Sequence, residues 1–150
     1  LKAMLVSRAS FLRYQNMFYQ KILATPYEIS LEIVTVQPTQ PTEEFSYEAF
    51  VGNSPRTSET FKFKALYEKE IPTRVREKYG IPKEANGVVY LSPKQLTPIF
   101  GDFHLDWNRT KVHFEGRVQV IEKIVYLEEL TLYKDCVGIQ IFVKDDLKGG

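Results

Sequence analysis

Asp102, His104 and Asp106 are the residues of this chain best suited to chemistry. Residues two apart on an extended strand share a face, so two carboxylates and an imidazole would stand in a row, a donor set that a divalent cation accepts. Phe103, Leu105 and Trp107 on the other face explain the same alternation as an amphipathic strand over 103–107. Same-face neighbours are also spaced too widely to close easily on one ion. The expectation is no metal, with these three as the weak candidates. Stoichiometric metal lost on Asp102→Ala would reverse it. His113, between Val112 and Phe114, reads as a solvent-facing strand histidine. A nucleophile elbow, a phosphate-cradling glycine loop and zinc-spaced cysteines are all missing, so neither catalytic residues nor a cofactor are expected. The single cysteine, Cys136, rules out an internal disulfide and reads as a small buried hydrophobe.

Lys62, Lys64, Lys69, Arg74, Arg76, Lys78 and Lys83 form a basic region, diluted by Glu68, Glu70, Glu77 and Glu84. On a small barrel with aromatics this pattern suits an oligonucleotide-binding fold, whereas interspersed charge more commonly marks a solvated face. The formal charge of the whole chain is only +1, unlike the strongly basic balance of free nucleic-acid binders.

The elements that must position these residues are mostly strands. With 150 residues, 43% of them hydrophobic, the chain can bury one ordinary core, which favours a single domain over 1–150. No apolar run approaches the length of a membrane span, and Arg8 and Arg13 interrupt any signal-peptide core. Residues 1–24 read as an amphipathic helix: Met4, Phe11 and Phe18 are seven apart, Leu5, Leu12 and Tyr19 repeat the spacing, and Ile22 and Leu23 extend it. Pro26 ends the pattern. The charges of this helix are all basic, Lys2, Arg8, Arg13 and Lys21, so it either covers a sheet with a basic face in water or sits on an acidic protein partner, a phosphate backbone or, least favoured, a membrane surface.

A β module over 29–144 follows. Ile29, Leu31 and Ile33 alternate as a half-buried strand, and Phe61, Phe63, Ala65 and Tyr67 as a second. Between them, 37–60 reads as a long loop rich in Pro, Ser, Thr and Glu, in which Phe45, Tyr47 and Phe50 sit on a short strand-like stretch. A short helix is expected near 73–79, stopped by Gly80 and Pro82. A strand at 88–91 runs into a turn or single helical turn at 92–96. Phe114-Glu115-Gly116-Arg117 marks a hairpin in which Gly116 takes positive φ, as in a three-residue loop with a glycine bulge. The apolar phase then changes near Val120, which predicts a β-bulge before a closing strand at 137–143. The fold class is mainly β: a small barrel or sandwich-like module with an N-terminal helix.

The order of signals in the second half, Val88-Val89-Tyr90, Gly101-Asp102, Lys111 to Phe114, the Glu115-Gly116-Arg117 turn, Val118 to Lys123 and Ile139 to Val143, resembles the head-closure (stopper or neck) proteins of tailed bacteriophages. The likeness covers about half the chain and lies in the order of strands and turns. The helix and the long loop are additions to the simplest members. The resemblance implies a structural, non-enzymatic virion protein of the head–tail connector. It would form a homo-oligomeric ring between the portal or adaptor protein and the tail protein, away from any membrane. DNA would pass through the lumen without being read in sequence. Partner contacts would fall on Met4, Arg8, Phe11, Arg13 and Phe18 of the helix and on Phe45, Tyr47 and Phe50 of the loop, with Gly116 as the structural turn. A nucleic-acid-binding barrel is the alternative, and a small enzyme the third reading.

Overall fold

The structure is a computed structural model, and it describes residues 8–36, 56–101, 106–129 and 135–146. Helix α1 (Arg8–Leu23) leads into strand β1 (Glu28–Val36), and β2 (Arg56–Lys64) returns antiparallel to it. Then come β3 (Leu66–Glu68), α2 (Thr73–Tyr79), β4 (Gly87–Leu91) and α3 (Pro93–Phe100). A 3-10 turn, Trp107–Arg109, precedes β5 (Thr110–Phe114), β6 (Arg117–Leu127) and β7 (Gly138–Asp145). The protein is mainly β, its strands forming a curled, half-barrel antiparallel sheet in the order β2-β1-β5-β6-β7-β4-β3.

The alternation at 61–67 marks not one strand but two. Only Ala65 separates β2 from β3, so a continuous segment supplies both ends of the sheet. The break is held in place from outside: the Ala65 amide donates to the Tyr27 carbonyl at 3.2 Å, and its carbonyl accepts from Thr25 Oγ1 at 2.9 Å. Strand β2 also begins earlier than expected, so 56–60, assigned to the loop, is pairing backbone. The rest of that loop, with Phe45, Tyr47 and Phe50, lies outside the described residues.

The concave face holds the main core, where Ile29, Leu31, Val112, Ile139 and Ile141 are all but sealed from water. Tyr67 of β3 and Phe114 of β5 stack across it, with centroids 4.1 Å apart. The fully buried Leu96 of α3 joins this core. Helix α3 is longer than the single turn expected because its start is well built. Ser92 Oγ accepts from the Lys94 amide while Gln95 Oε1 accepts from the Ser92 amide, and Pro93 opens the helix. A smaller core lies on the convex face, where Ile71, Ile81, Ala85, Val88 and Phe142 pack beneath α2. Strand β7 is therefore buried on both faces from Gly138 to Val143, with Gln140 as the one polar residue of that run.

The hairpin between β5 and β6 has a two-residue loop. Phe114 pairs with Arg117, and Glu115 (φ 50°) and Gly116 (φ 78°) are both left-handed. That is a type I′ turn rather than the three-residue loop with a bulge, and it suits the right-handed twist of the strands. The expected bulge is present one step on: the β6–β7 register slips between Ile121 and Lys123. The strand expected at 103–107 is corrected at its end, because Trp107 opens the 3-10 turn and donates from Nε1 to Tyr126 Oη at 2.8 Å.

Candidate partner-docking site

The face of α1 that turns inward is set by Phe11, Gln15, Phe18 and Ile22, which fall within about 60° of one another at 100° per residue. Phe11 and Ile22 are buried. Phe18 lies flat on the start of β7, where a side chain at Gly138 would come within 2.6 Å of its ring. Gln15 is a buried amide that donates to the Cys136 carbonyl at 2.8 Å and to Asp135 Oδ1 at 3.0 Å, fastening the helix to the segment that enters β7. The stripe expected to anchor the chain on a partner therefore packs on the chain's own sheet. The sequence reading missed Gln15 because a polar residue on an apolar face does not register as core.

The side of α1 beside this stripe remains open. Tyr14 and Met17 are 48% and 51% exposed, and with Phe11, Phe18 and Val137 they line a groove of about 500 Å³. Lys21 and Glu128 stand at its rim. On the opposite flank Leu12 and Leu23 are also exposed. The helix carries no acidic residue; Arg8 and Arg13 are exposed, and Arg13 lies over the Tyr14 ring at 5.6 Å. The groove is thus apolar, with one cation and one carboxylate at its rim, and an exposed apolar patch of this kind is a candidate docking surface. Tyr14 and Met17 were missed because the seven-residue spacing selects the inward stripe and not its flank.

The remaining candidates are dispersed. Met4, Asp102 and His104 lie outside the described residues. Asp106 is exposed, pairs with Arg109 at 3.4 Å and immediately precedes the 3-10 turn. Among the described residues no group of three His, Cys, Asp or Glu side chains is placed to hold a metal ion. His113 is half-buried rather than free in solvent, its Nε2 2.7 Å from Glu32 Oε1 on the neighbouring strand. Cys136 is buried, and burial pushes its thiol up to about 12.

The basic region separates by role. Arg76 donates to the carbonyls of Pro82 and Ala85, both at 2.7 Å, and so shapes the turn after α2. Lys64 reaches the Thr25 carbonyl, and Lys69 pairs with Glu115 at 3.8 Å. Among the described residues no helix is long and apolar enough to cross a membrane. No family model matches the chain, and no curated protein matches it.

Proposed function

We propose that this chain is a structural assembly subunit of a tailed-phage neck, a head-closure protein that forms a ring between the portal or adaptor and the tail. The observation that carries the reading is the outer side of α1, where Tyr14 and Met17 border an open apolar groove beside a helix with only basic charges. A protein built to be covered by neighbours leaves such a patch on a rigid element. The order of strands and turns that resembles head-closure proteins supplies the identity of those neighbours. In the virion neck, DNA would cross the lumen of the ring without sequence-specific contacts.

The test is the mass of the purified full-length chain, alone and mixed with the portal and tail proteins encoded beside its gene. A defined ring on those partners is the expected result, even from a monomeric free protein. A particle map with one isolated copy, its α1 groove and residues 37–55 free of neighbours, would sink the reading.

A further inference from the structure

A second groove, of about 510 Å³, lies between α2 and the convex face of the sheet, with Tyr79 and Tyr90 in its walls and Arg74 and Lys78 on α2. Its chemistry differs from that of the α1 patch. Val75 and Tyr79 turn toward the small core, and Tyr79 packs against Phe142 at 6.2 Å. Arg74 and Lys78, four apart, share a flank of the helix. Both are exposed, and neither has a carboxylate partner among the described residues; Lys78 only caps the Tyr79 ring at 5.2 Å. Lys123, nearby, is engaged by the Tyr79 carbonyl. The Tyr90 hydroxyl accepts from Gln140 Nε2 at 3.2 Å. The charges lining the groove are therefore both cations, carried on its helix side.

We propose that this groove receives residues 42–51 of a second copy of the chain. That stretch, Thr-Glu-Glu-Phe-Ser-Tyr-Glu-Ala-Phe-Val, carries Glu43, Glu44 and Glu48 and no lysine or arginine, with Phe45, Tyr47 and Phe50 among them. Its carboxylates complement Arg74 and Lys78, and its aromatics complement the tyrosine walls. At about 3.3 Å per residue, Glu43 can stand up to about 23 Å from Val36, so the segment can extend away from its own β1. The proposal rests on the ring reading, because a cyclic ring repeats a single head-to-tail contact in which each copy gives one surface and receives the other.

A fluorescein-labelled peptide of residues 41–51 titrated into the full-length chain tests it by anisotropy. Saturable, salt-sensitive binding is expected, weakened about tenfold or more by Arg74→Glu with Lys78→Glu, whose charges become repulsive. The double variant should keep the parent's melting temperature, since both positions are exposed. A peptide with Glu43→Lys and Glu44→Lys should bind the double variant and not the parent. No saturable binding, or binding indifferent to the swap, overturns the proposal. So does a ten-residue oligothymidylate that binds in a swap-sensitive way while the peptide does not, which would make the groove a nucleic-acid site. Peptide binding only to a chain carrying Glu43→Lys and Glu44→Lys, with the parent monomeric by mass, would show that each copy fills its own groove, and also overturns it. A ring on the partners without peptide binding removes this contact alone, whereas peptide binding with no ring removes the neck reading.

Discussion

Gln119 is the residue on which one end of the half-barrel depends. It is fully buried, and its Oε1 accepts from Tyr67 Oη at 2.9 Å while its Nε2 reaches Asn86 Oδ1 and Asp145 Oδ1. Burial raises the Tyr67 pKa although the bond to Gln119 opposes it. Tyr67→Phe keeps the stack on Phe114 and strands a buried amide oxygen, so it should cost about 1–2 kcal/mol in urea unfolding. A variant as stable as the parent would mean that the amide finds another donor. Asp145 closes the same network. Bonds from Arg117, at 3.1 and 2.5 Å, hold its carboxyl below the ordinary value, with Asn86 and Gln119 helping. A depressed folded-state pKa stabilises the fold fully above the unfolded-state pKa and ceases to do so as pH falls through the folded value. The advantage of the parent over Asp145→Asn in thermal melts should be constant at neutral pH and shrink below about pH 4. It should be small throughout, because both side chains stand partly in water.

Among the elements, the β5–β6 hairpin has the strictest local requirement. Its type I′ turn needs left-handed backbone at two successive residues; Glu115 tolerates it, and Gly116 (φ 78°) is free to adopt it. Nothing lies within 4 Å of the position a side chain at Gly116 would take, so any penalty there is conformational and not a clash. Gly116→Val forces a β-branched residue into that region and should cost about 1–3 kcal/mol, read from chemical denaturation. The loss should spread through the sheet, because the turn sets the register of Val112 and Phe114 against β6. An unaffected variant would contradict the turn assignment and remove the best-defined part of the likeness to head-closure proteins.

At the scale of the molecule, one open groove of the half-barrel lies against α1 and another against α2. In the ring reading the α1 groove meets a partner protein and the α2 groove a neighbouring copy. Met17 is half-exposed and outside both buried cores, so Met17→Glu should leave the melting temperature within about a degree of the parent. Placing a charge in the apolar groove should nevertheless abolish the complex with portal or tail protein in native mass measurements. Retention of that complex would move the docking surface away from α1.

Short-range signals were legible in the sequence wherever one residue or one period decides the backbone. Gly116 had to take positive φ, Gly80 had to end a helix, the 2.0 period placed β1 to within a few residues, and the 3.6 period marked the described part of α1 and its end before Pro26. The mainly β class followed from those periods. What remained required contacts between residues far apart in the chain. That β2 and β3 are one segment forming both ends of the sheet depends on Ala65 meeting the Tyr27 carbonyl and the Thr25 hydroxyl, and no local pattern encodes that meeting. Which flank of α1 stays open depends on Gly138 admitting the Phe18 ring and on Gln15 reaching Cys136, 121 residues away. The division of the basic region into the internally bonded Arg76 and the outward Arg74 and Lys78 likewise depends on where α2 settles on β4 and β7. Local sterics fix turns and periods, whereas the surfaces a chain leaves for others are decided only when its elements pack.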